Sequence, residues 1–271
     1  MRRFNRRYQL GFGARNSSLK LISELRCKFR VEKSDKKNAN SGQFEIYNLS
    51  EESRNRFQED DTIILLSAGY EENVQGVFAG DVTKVEHRFD RQNGDVITLI
   101  QSGDGEKSLQ KSTVSKSYIK GTSLKSVVSD VINSFSNISF SQSLDSVIPA
   151  AAELVTGGTF EGQSDNILSE LLGSFGLSFS IQDNELIVAG NSALDDTNIQ
   201  LINPSTGLIG SPSKTEDGIA LQMLLEPSIR PGSIFRLESQ SITGTYKCTK
   251  AVYEGDNFDK PWYLSMEAKT V

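Results

Sequence analysis

Paired carboxylates are the first residues of this sequence that could carry chemistry. Glu59-Asp60-Asp61, Glu71-Glu72 and Asp195-Asp196 each bring together the residue type that glycoside hydrolysis requires. All three groups lie in predicted turns, and none has an aromatic platform beside it. We therefore interpret them as solvated loop ends and predict no glycosidase site.

The single histidine and the two cysteines leave little room for other catalytic or metal chemistry. Histidine is the commonest general base and metal ligand in proteins. The single histidine, His87, lies in a stretch of alternating residues that is typical of a strand. Cys27 and Cys248 cannot build a disulfide framework or, with one histidine, a usual zinc site. The fragment that begins at Gly11 lacks the third glycine of a dinucleotide loop, and nucleophile-elbow, phosphate-loop and zinc-protease motifs do not occur. We predict no enzymatic activity, no metal and no cofactor.

Charge is distributed unevenly along the 271 residues, whose net charge is −6. Segment 1–37 holds twelve Lys and Arg against three acids, so the remainder is acidic. A basic segment of this kind can bind nucleic acid or the acidic face of a neighbouring copy. Few aromatic residues and no RNA-binding signature favour protein contact, although residues 1–8 also fit a solvated tail. We predict assembly contacts by arginines of a basic N-terminal arm, residues 1–15, namely Arg2, Arg3, Arg6, Arg7 and Arg15.

Period-two alternation predicts β-structure in the first and last parts of the chain. Segment 23–31 alternates polar and apolar residues and has the inward set Leu25, Cys27, Phe29 and Val31. Ser50 is expected to cap a short helix, and Asn93-Gly94 is typical of a hairpin turn. Segments after residue 197 alternate between Pro and Gly turns, and Trp262 is expected to pack in the last hairpin.

The middle part switches to helical periodicity. Segment 122–135 places its apolar residues on one helical face, and a second helix begins at Ser164 or Asp165 and ends at Gly176. A hairpin follows with the two-residue turn Asp183-Asn184. These elements predict a small α/β module between two β-parts.

The predicted fold class is therefore mainly β, of α+β type. The expected parts are the basic arm 1–15, a first β-domain 16–115, the α/β module 116–195 and a second β-domain 196–271. No apolar run approaches the ~18 residues of a membrane helix, so we expect no membrane span.

Four stretches together resemble the baseplate hub protein of contractile phage tails, a family related to the hub part of type VI secretion spikes. They are 44–50, 77–82, 103–106 and the C-terminal series 207–212, 224–227, 230–232 and 255–256 before Trp262. Each stretch alone contains only residues that are typical of turns between strands. Their order and spacing carry the resemblance, which covers nearly the whole chain beyond residue 18.

The resemblance implies two tail-tube-like β-barrel domains with the module inserted, and a homotrimer. Three copies would place six similar barrels around a channel and match a sixfold tail tube to a threefold central spike. The implied partners are a tail tube or tube-end protein, the central spike protein, and baseplate wedge or sheath components. Genomic DNA and the tape-measure protein would only pass through the channel. The implied location is the virion tail baseplate, assembled in the host cytoplasm.

Two expectations follow from this assembly. A channel that passes DNA works better with a repulsive or neutral wall, so we expect a net negative or neutral lining rather than a ring of Lys and Arg. Deleting residues 1–15 is expected to weaken assembly and to leave the monomer folded.

Two alternative functions remain open at this point. A β-rich binding module for host-surface carbohydrate or protein would need exposed aromatic residues such as Tyr70, Trp262 or Tyr263. A related tail-tube-end adaptor would share the barrel type, and the inserted α/β module favours a hub over a plain tube protein.

Overall fold

A computed structural model describes residues 5–15, 17–37, 40–71, 73–146, 148–149, 152–190 and 199–271. The chain divides into two compact units. The sheet unit comprises Met1–Asp35, Asn40–Asp104 and Leu194–Val271, and the insert unit comprises Lys36–Ala39 and Gly105–Ala193. The protein is mainly β, as the sequence predicts.

The strands and helices of the described chain have the following bounds. In chain order the strands are β1 (Arg6–Ala14), β2 (Lys20–Ile22), β3 (Cys27–Ser34), β4 (Asn40–Tyr47), β5 (Thr62–Tyr70), β6 (Asn73–Phe89), β7 (Val96–Asp104), β8 (Thr113–Tyr118), β9 (Gly158–Gln163), β10 (Leu177–Gln182), β11 (Glu185–Gly190), β12 (Gln200–Ile202), β13 (Leu208–Lys214), β14 (Ile219–Leu224), β15 (Ile234–Glu238), β16 (Thr243–Asp256) and β17 (Trp262–Thr270). The α-helices are α1 (Glu51–Arg56), α2 (Glu106–Lys111), α3 (Leu124–Ile132) and α4 (Ser164–Gly173).

The sheet unit is built on one thirteen-stranded sheet within the described residues. Its order is β13-β14-β17-β16-β3-β4-β7-β6-β5-β1-β2, and these neighbours all pair antiparallel. Strand β15 joins at β16, and β12 pairs with β15 in parallel. The N-terminal and C-terminal strands thus meet where β3 pairs with β16. The predicted boundaries at 16–115, 116–195 and 196–271 stay a prediction.

Alternating apolar residues form the core of this unit. Cys27, Phe29 and Val31 are buried on β3, as the period-two pattern predicts. Phe29 packs edge-on against the buried Trp262 ring, with centroids 5.4 Å apart. Ser50 caps α1 by accepting a hydrogen bond from the backbone N–H of Ser53, which confirms the predicted helix start.

Strand β1 occupies most of the segment that we expected to be a basic arm. Residues 6–14 pair along their whole length with β5, and Tyr8, Leu10 and Phe12 are buried. The arm is therefore part of the sheet, because its apolar residues alternate with Gln and Gly and are buried when the segment pairs as a strand. Gly11 lies inside this strand rather than in a nucleotide-binding loop. We accordingly expect deletion of residues 1–15 to unfold the sheet unit, contrary to the expectation from sequence.

The insert unit has its own core, to which the helices α3 and α4 and the two-stranded sheets β8–β9 and β10–β11 contribute. Val127, Val128 and Val131 of α3 and Leu168 and Leu172 of α4 are buried in it, as the helical periodicity predicts. Asp183 and Asn184 both adopt positive φ, at 57° and 62°, which two-residue hairpin turns of type I′ require. No helix in the described part of the chain is long and apolar enough to cross a membrane.

Candidate functional site

The histidine and the two cysteines considered for catalysis or metal binding all lie in strands. His87 lies in β6, where its Nδ1 is 3.2 Å from the hydroxyl of Thr98, and burial and the nearby Arg54 lower the pKa of His87. Cys27 and Cys248 are buried, and burial raises the pKa of both thiols, that of Cys248 to about 12. Both cysteines therefore act as small core residues.

The acidic groups that the structure describes fall in turns. Glu59-Asp60-Asp61 lies between α1 and β5, and Glu71 follows β5. Asn5 donates a hydrogen bond to Glu71 and Arg7 approaches it, which together lower the pKa of this carboxyl. Glu72 and the Asp195-Asp196 pair lie outside the described residues.

One face of the strands from β13 to β6 is polar and charged. Lys28, Arg30 and Glu32 project from it and alternate along β3 with the buried residues of the core. We define the polar face by the charged residues that line its two shallow concavities, together with Glu32, which pairs with bases of both. They are Lys28, Arg30, Lys84, Arg88, Lys250, Glu32, Glu45, Glu86, Glu254 and Glu267.

Bases and acids are interleaved across the polar face. Glu32 pairs with Lys250, with a distance of 2.5 Å between Oε1 and Nζ, and Arg30 forms an ion pair with Glu254. The other pairs are Lys28 with Glu45 at 3.7 Å, Lys84 with Glu86 at 2.6 Å and Arg88 with Glu86 at 3.6 Å. Hydrogen bonding to Lys84 lowers the pKa of Glu86. The set of described residues that defines the polar face has five bases and five acids, so its formal charges balance.

The two halves of the sheet unit repeat the same local structure. The Thr83 hydroxyl donates to the backbone oxygen of Gln101 over 3.1 Å, and the Thr249 hydroxyl donates to that of Glu267 over 3.2 Å. The number of residues between the two threonines equals the number between Gln101 and Glu267, so the donor and the acceptor recur at the same interval along the chain. A register shift precedes Lys84 and Lys250 alike. The matching rows of facing residues are Arg30, Gln43, Gln101 and Lys84 in the first half and Ser213, Ala220, Glu267 and Lys250 in the second.

Each half is thus a group of four strands that ends in a long strand. The first group is β3-β4-β7-β6 and the second is β13-β14-β17-β16. In each long strand the pairing with one neighbour ends close to the register shift. The pairing of β6 with β5 ends at Asp81, and the pairing of β16 with β15 ends at Lys247. This repeat was not predicted from the sequence, although the Thr-Lys pair that recurs at 83–84 and 249–250 was a signal for it.

The predicted contact arginines differ in whether their side chains already bind other residues of the same chain. Arg15 lies against Asp81, with 2.6 Å between Nη2 and Oδ1, and both side chains are mostly buried. Arg6 donates to the backbone oxygens of Asp256 and Asp259 and lies over the Trp262 ring.

Arg7 is the most exposed of the predicted contact arginines that the structure describes. Its side chain is 62% exposed, and its Nη2 lies 3.5 Å from Glu71. Arg2 and Arg3 lie outside the described residues. Arg6 and Arg15 therefore stabilise the fold, whereas the side chain of Arg7 is exposed to contact by a neighbouring protein.

Arg15→Ala is expected to lower the free energy of unfolding by about 2 kcal/mol, because it leaves the Asp81 carboxylate buried without its ion-pair partner. Arg7→Ala is the matched control and should cost less than about 0.5 kcal/mol, since exposed ion pairs contribute little. Chemical denaturation of both variants tests the difference. Equal losses would show that Arg15 carries no special structural role.

Comparison with known proteins identifies the family. The family described as Baseplate hub gp41 matches residues 8–268. The chain belongs to this baseplate hub family. No curated protein sequence matches it.

Solved structures with a similar fold are tail and secretion proteins. The hub is similar to the 43 kDa tail protein of prophage MuSo2 from Shewanella oneidensis, with a TM-score of 0.66 and 7% identity over 97% of this chain and 96% of that chain. The tail protein from Neisseria meningitidis MC58 gives 0.63 and 10% over 98% and 97%. The E. coli c3393 protein, a component of the type VI secretion system with structural similarity to the T4 tail proteins gp27 and gp5, gives 0.60 and 10% over 96% and 76%. At these identities the likeness shows the shared fold.

Family membership makes the hub a structural protein of the phage tail baseplate. The resemblance inferred from the turn motifs is confirmed, since the matched region includes every one of them.

Proposed function

We propose that the hub acts, without catalysing a reaction, as a homotrimer that links the sixfold tail tube to the threefold central spike. The observation that carries this proposal is the repeat of one four-strand plan in both halves of the sheet unit. Three such chains present six similar groups while keeping closed threefold symmetry. A single ring can then match sixfold neighbours on one side and threefold neighbours on the other.

The polar face is the proposed wall of the channel for DNA ejection. Its charged residues are balanced and locally paired, so it offers no excess of cations to phosphate. This supports the expected neutral lining. Genomic DNA and the tape-measure protein would then pass without being retained.

The proposed neighbours complete the assembly. A tail tube or tube-end protein lies on one side of the ring, the spike protein on the other, and wedge or sheath components around it, with assembly in the host cytoplasm. The carbohydrate-binding alternative loses support at two of its three aromatic residues, because Trp262 and Tyr70 are buried at 1% and 8% exposure, while Tyr263 is half-buried.

The mass of the purified chain in solution tests the trimer. Light scattering of the chain alone, and then with the adjacent spike protein, should give three times 29.8 kDa for the hub in at least one condition. A monomer in both conditions would contradict the hub trimer and favour a monomeric binding module. A sixfold assembly would favour the tube-end adaptor.

Reversing acids on the polar face should make the trimer bind DNA. We expect the variant Glu32→Lys with Glu254→Lys to retain double-stranded DNA in a salt-dependent way, with at least a tenfold gain over wild type at low salt, because phosphate contacts release counterions. Filter binding across salt concentrations measures this. The matched control reverses Glu59 and Asp60, which lie in an exposed turn. Equal DNA binding by the control would contradict a special role for the polar face.

A further inference from the structure

A concavity in the sheet unit lies where the start of β1 meets the turn between β16 and β17. It encloses about 650 Å³. Its charged side chains are three bases and one acid, and it is also lined by one aromatic side chain; these residues are Arg6, Arg7, Lys260, Asp259 and Phe258. We call it the basic concavity. It shares no residue with the polar face, so the proposed channel wall does not use it.

The turn that forms one side of the basic concavity is held in place by its own hydrogen bonds. The Asp256 carboxylate accepts from the backbone N–H groups of Phe258 and Asp259 at 3.0 and 3.3 Å. The Asn257 side chain accepts from the backbone N–H of Cys27 at 2.8 Å. Because the turn is already ordered, a ligand bound there would lose little free energy in ordering it.

The equivalent turn in the first half of the sheet unit shows that the fold does not require an aromatic side chain here. The first residue of each turn, Asp90 or Asp256, donates from its backbone N–H to the residue five positions on over 2.8 Å. Its side chain accepts from the N–H two positions on, which is that of Gln92 in one turn and that of Phe258 in the other. Phe258 is 69% exposed where the matching position holds a glutamine. Aromatic residues and arginine are enriched in surfaces that bind other proteins.

The bases of the concavity keep donors for a ligand. Within the described residues Arg6 donates only from Nη1, to the backbone oxygens of Asp256 and Asp259, which leaves its Nε and Nη2 free. Lys260 forms no ion pair in the part of the chain that the structure describes. Arg7 is mostly exposed, and its one carboxylate neighbour lies 3.5 Å away.

We propose that the basic concavity binds an acidic peptide segment of a neighbouring baseplate protein, with an apolar side chain of that segment packed against Phe258. Carboxylates of the segment pair with Arg7 and Lys260, and the free nitrogens of Arg6 donate to it. The concavity has more bases than acids on a chain whose net charge is −6, so it favours an acidic partner over other surfaces of the chain. The site does not depend on the proposed trimer.

A peptide suits this surface better than a nucleic acid does. Asp259 lines the concavity, and Glu71 lies beside Arg7. These carboxylates repel the evenly spaced phosphates of a nucleic acid, whereas a peptide can place its acids opposite the bases alone.

Photo-cross-linking in assembled tails tests the site. On illumination, the variant Phe258→p-benzoylphenylalanine should link to a segment of another tail protein that is rich in Asp and Glu, as mapped by mass spectrometry of the linked peptides. The matched control, Gln92→p-benzoylphenylalanine, places the same probe in the equivalent turn. It should give about tenfold less of that product, because the turn of the first half has no such concavity.

Charge reversal provides a second reading. Arg7→Glu with Lys260→Glu, added to the Phe258 probe variant, should lower the yield of the linked product about tenfold, because attraction to the acidic segment becomes repulsion. The control Arg236→Glu with Lys269→Glu reverses two other bases of the sheet unit whose exposure is similar, at 61% and 57%. It should leave the yield unchanged.

The outcomes separate this site from the proposed function. Links to DNA, to another copy of the hub or to a segment without acids would overturn the site, as would the absence of any product. Equal loss with both charge reversals would overturn it too. Light scattering of the same variants reports the trimer independently. A monomeric hub that still yields the acidic product would contradict the proposed trimer and leave the site standing.

Discussion

Asp256→Ala is expected to lower the free energy of unfolding by about 3 kcal/mol at neutral pH. The Asp256 side chain is 1% exposed, and Arg26 donates to it from Nη2 over 2.7 Å. Its Oδ1 also accepts from the backbone N–H groups of Phe258 and Asp259 at 3.0 and 3.3 Å. The substitution therefore breaks an ion pair and releases the turn between β16 and β17.

The stability supplied by Asp256 should depend on pH. Burial by itself would raise the pKa of this carboxyl, but hydrogen bonding and attraction from Arg26 and the turn amides leave the pKa below its ordinary value of 3.8. A carboxyl with a lowered pKa in the folded state stabilises the fold above its unfolded pKa and loses that contribution as the pH falls through the folded value. The gap between wild type and variant should therefore narrow below about pH 4.

Urea unfolding at neutral pH and at decreasing acidic pH measures both effects. Asp256→Asn is the matched control, because it keeps the size of the side chain and one acceptor oxygen for the turn amides but removes the charge. It should lose less stability than Asp256→Ala and show little change of its own with acid. A gap between wild type and Asp256→Ala that stays constant with pH would contradict the role of the charged carboxylate.

Leu168→Ala is expected to destabilise the insert unit by about 2–5 kcal/mol, since removing a fully buried leucine leaves a cavity. Leu168 is 0% exposed and lies on α4 among side chains of the insert core. Because this core and that of the sheet unit are separate clusters, the loss should concentrate in one unit.

Hydrogen exchange resolved along the chain is the appropriate measurement. Amides of α3, α4 and the β10–β11 hairpin should exchange faster in Leu168→Ala, while amides of β3 and β4 should keep their protection. Leu168→Met, which nearly conserves volume, should cost less than about 1.5 kcal/mol. Uniformly faster exchange across both units would show that the two cores unfold together.

Local patterns predicted many of the elements, because their causes lie within a few residues. The alternation at 23–31 predicted the buried face of β3, and Ser50 predicted the start of α1. The apolar spacing at 122–135 predicted the buried face of α3, and Asp183-Asn184 predicted a hairpin turn. In each case the hydrogen bond or the apolar period is set by neighbours in the chain.

Strand β1 and the arginine contacts were not predicted, because their partners are distant in the chain. Tyr8, Leu10 and Phe12 alternate, but the basic residues around them suggested an arm that contacts a neighbouring protein, and only the structure shows that the segment pairs with β5. The Asp81 partner of Arg15 and the carbonyl partners of Arg6 are set by the fold alone. Charge along the chain is visible in the sequence, whereas which charges face each other is not.

The sequence by itself determined the class of this protein. Its turn motifs in their order, its lack of catalytic constellations and its alternating strands indicated a β-rich hub, because turns and periodicity are local properties. Only the tertiary structure decided how the strands are arranged. It joined β3 to β16, balanced the charges of one face and brought the start of β1 to the turn between β16 and β17, because sheet order and cross-strand pairing depend on contacts between residues far apart in the chain.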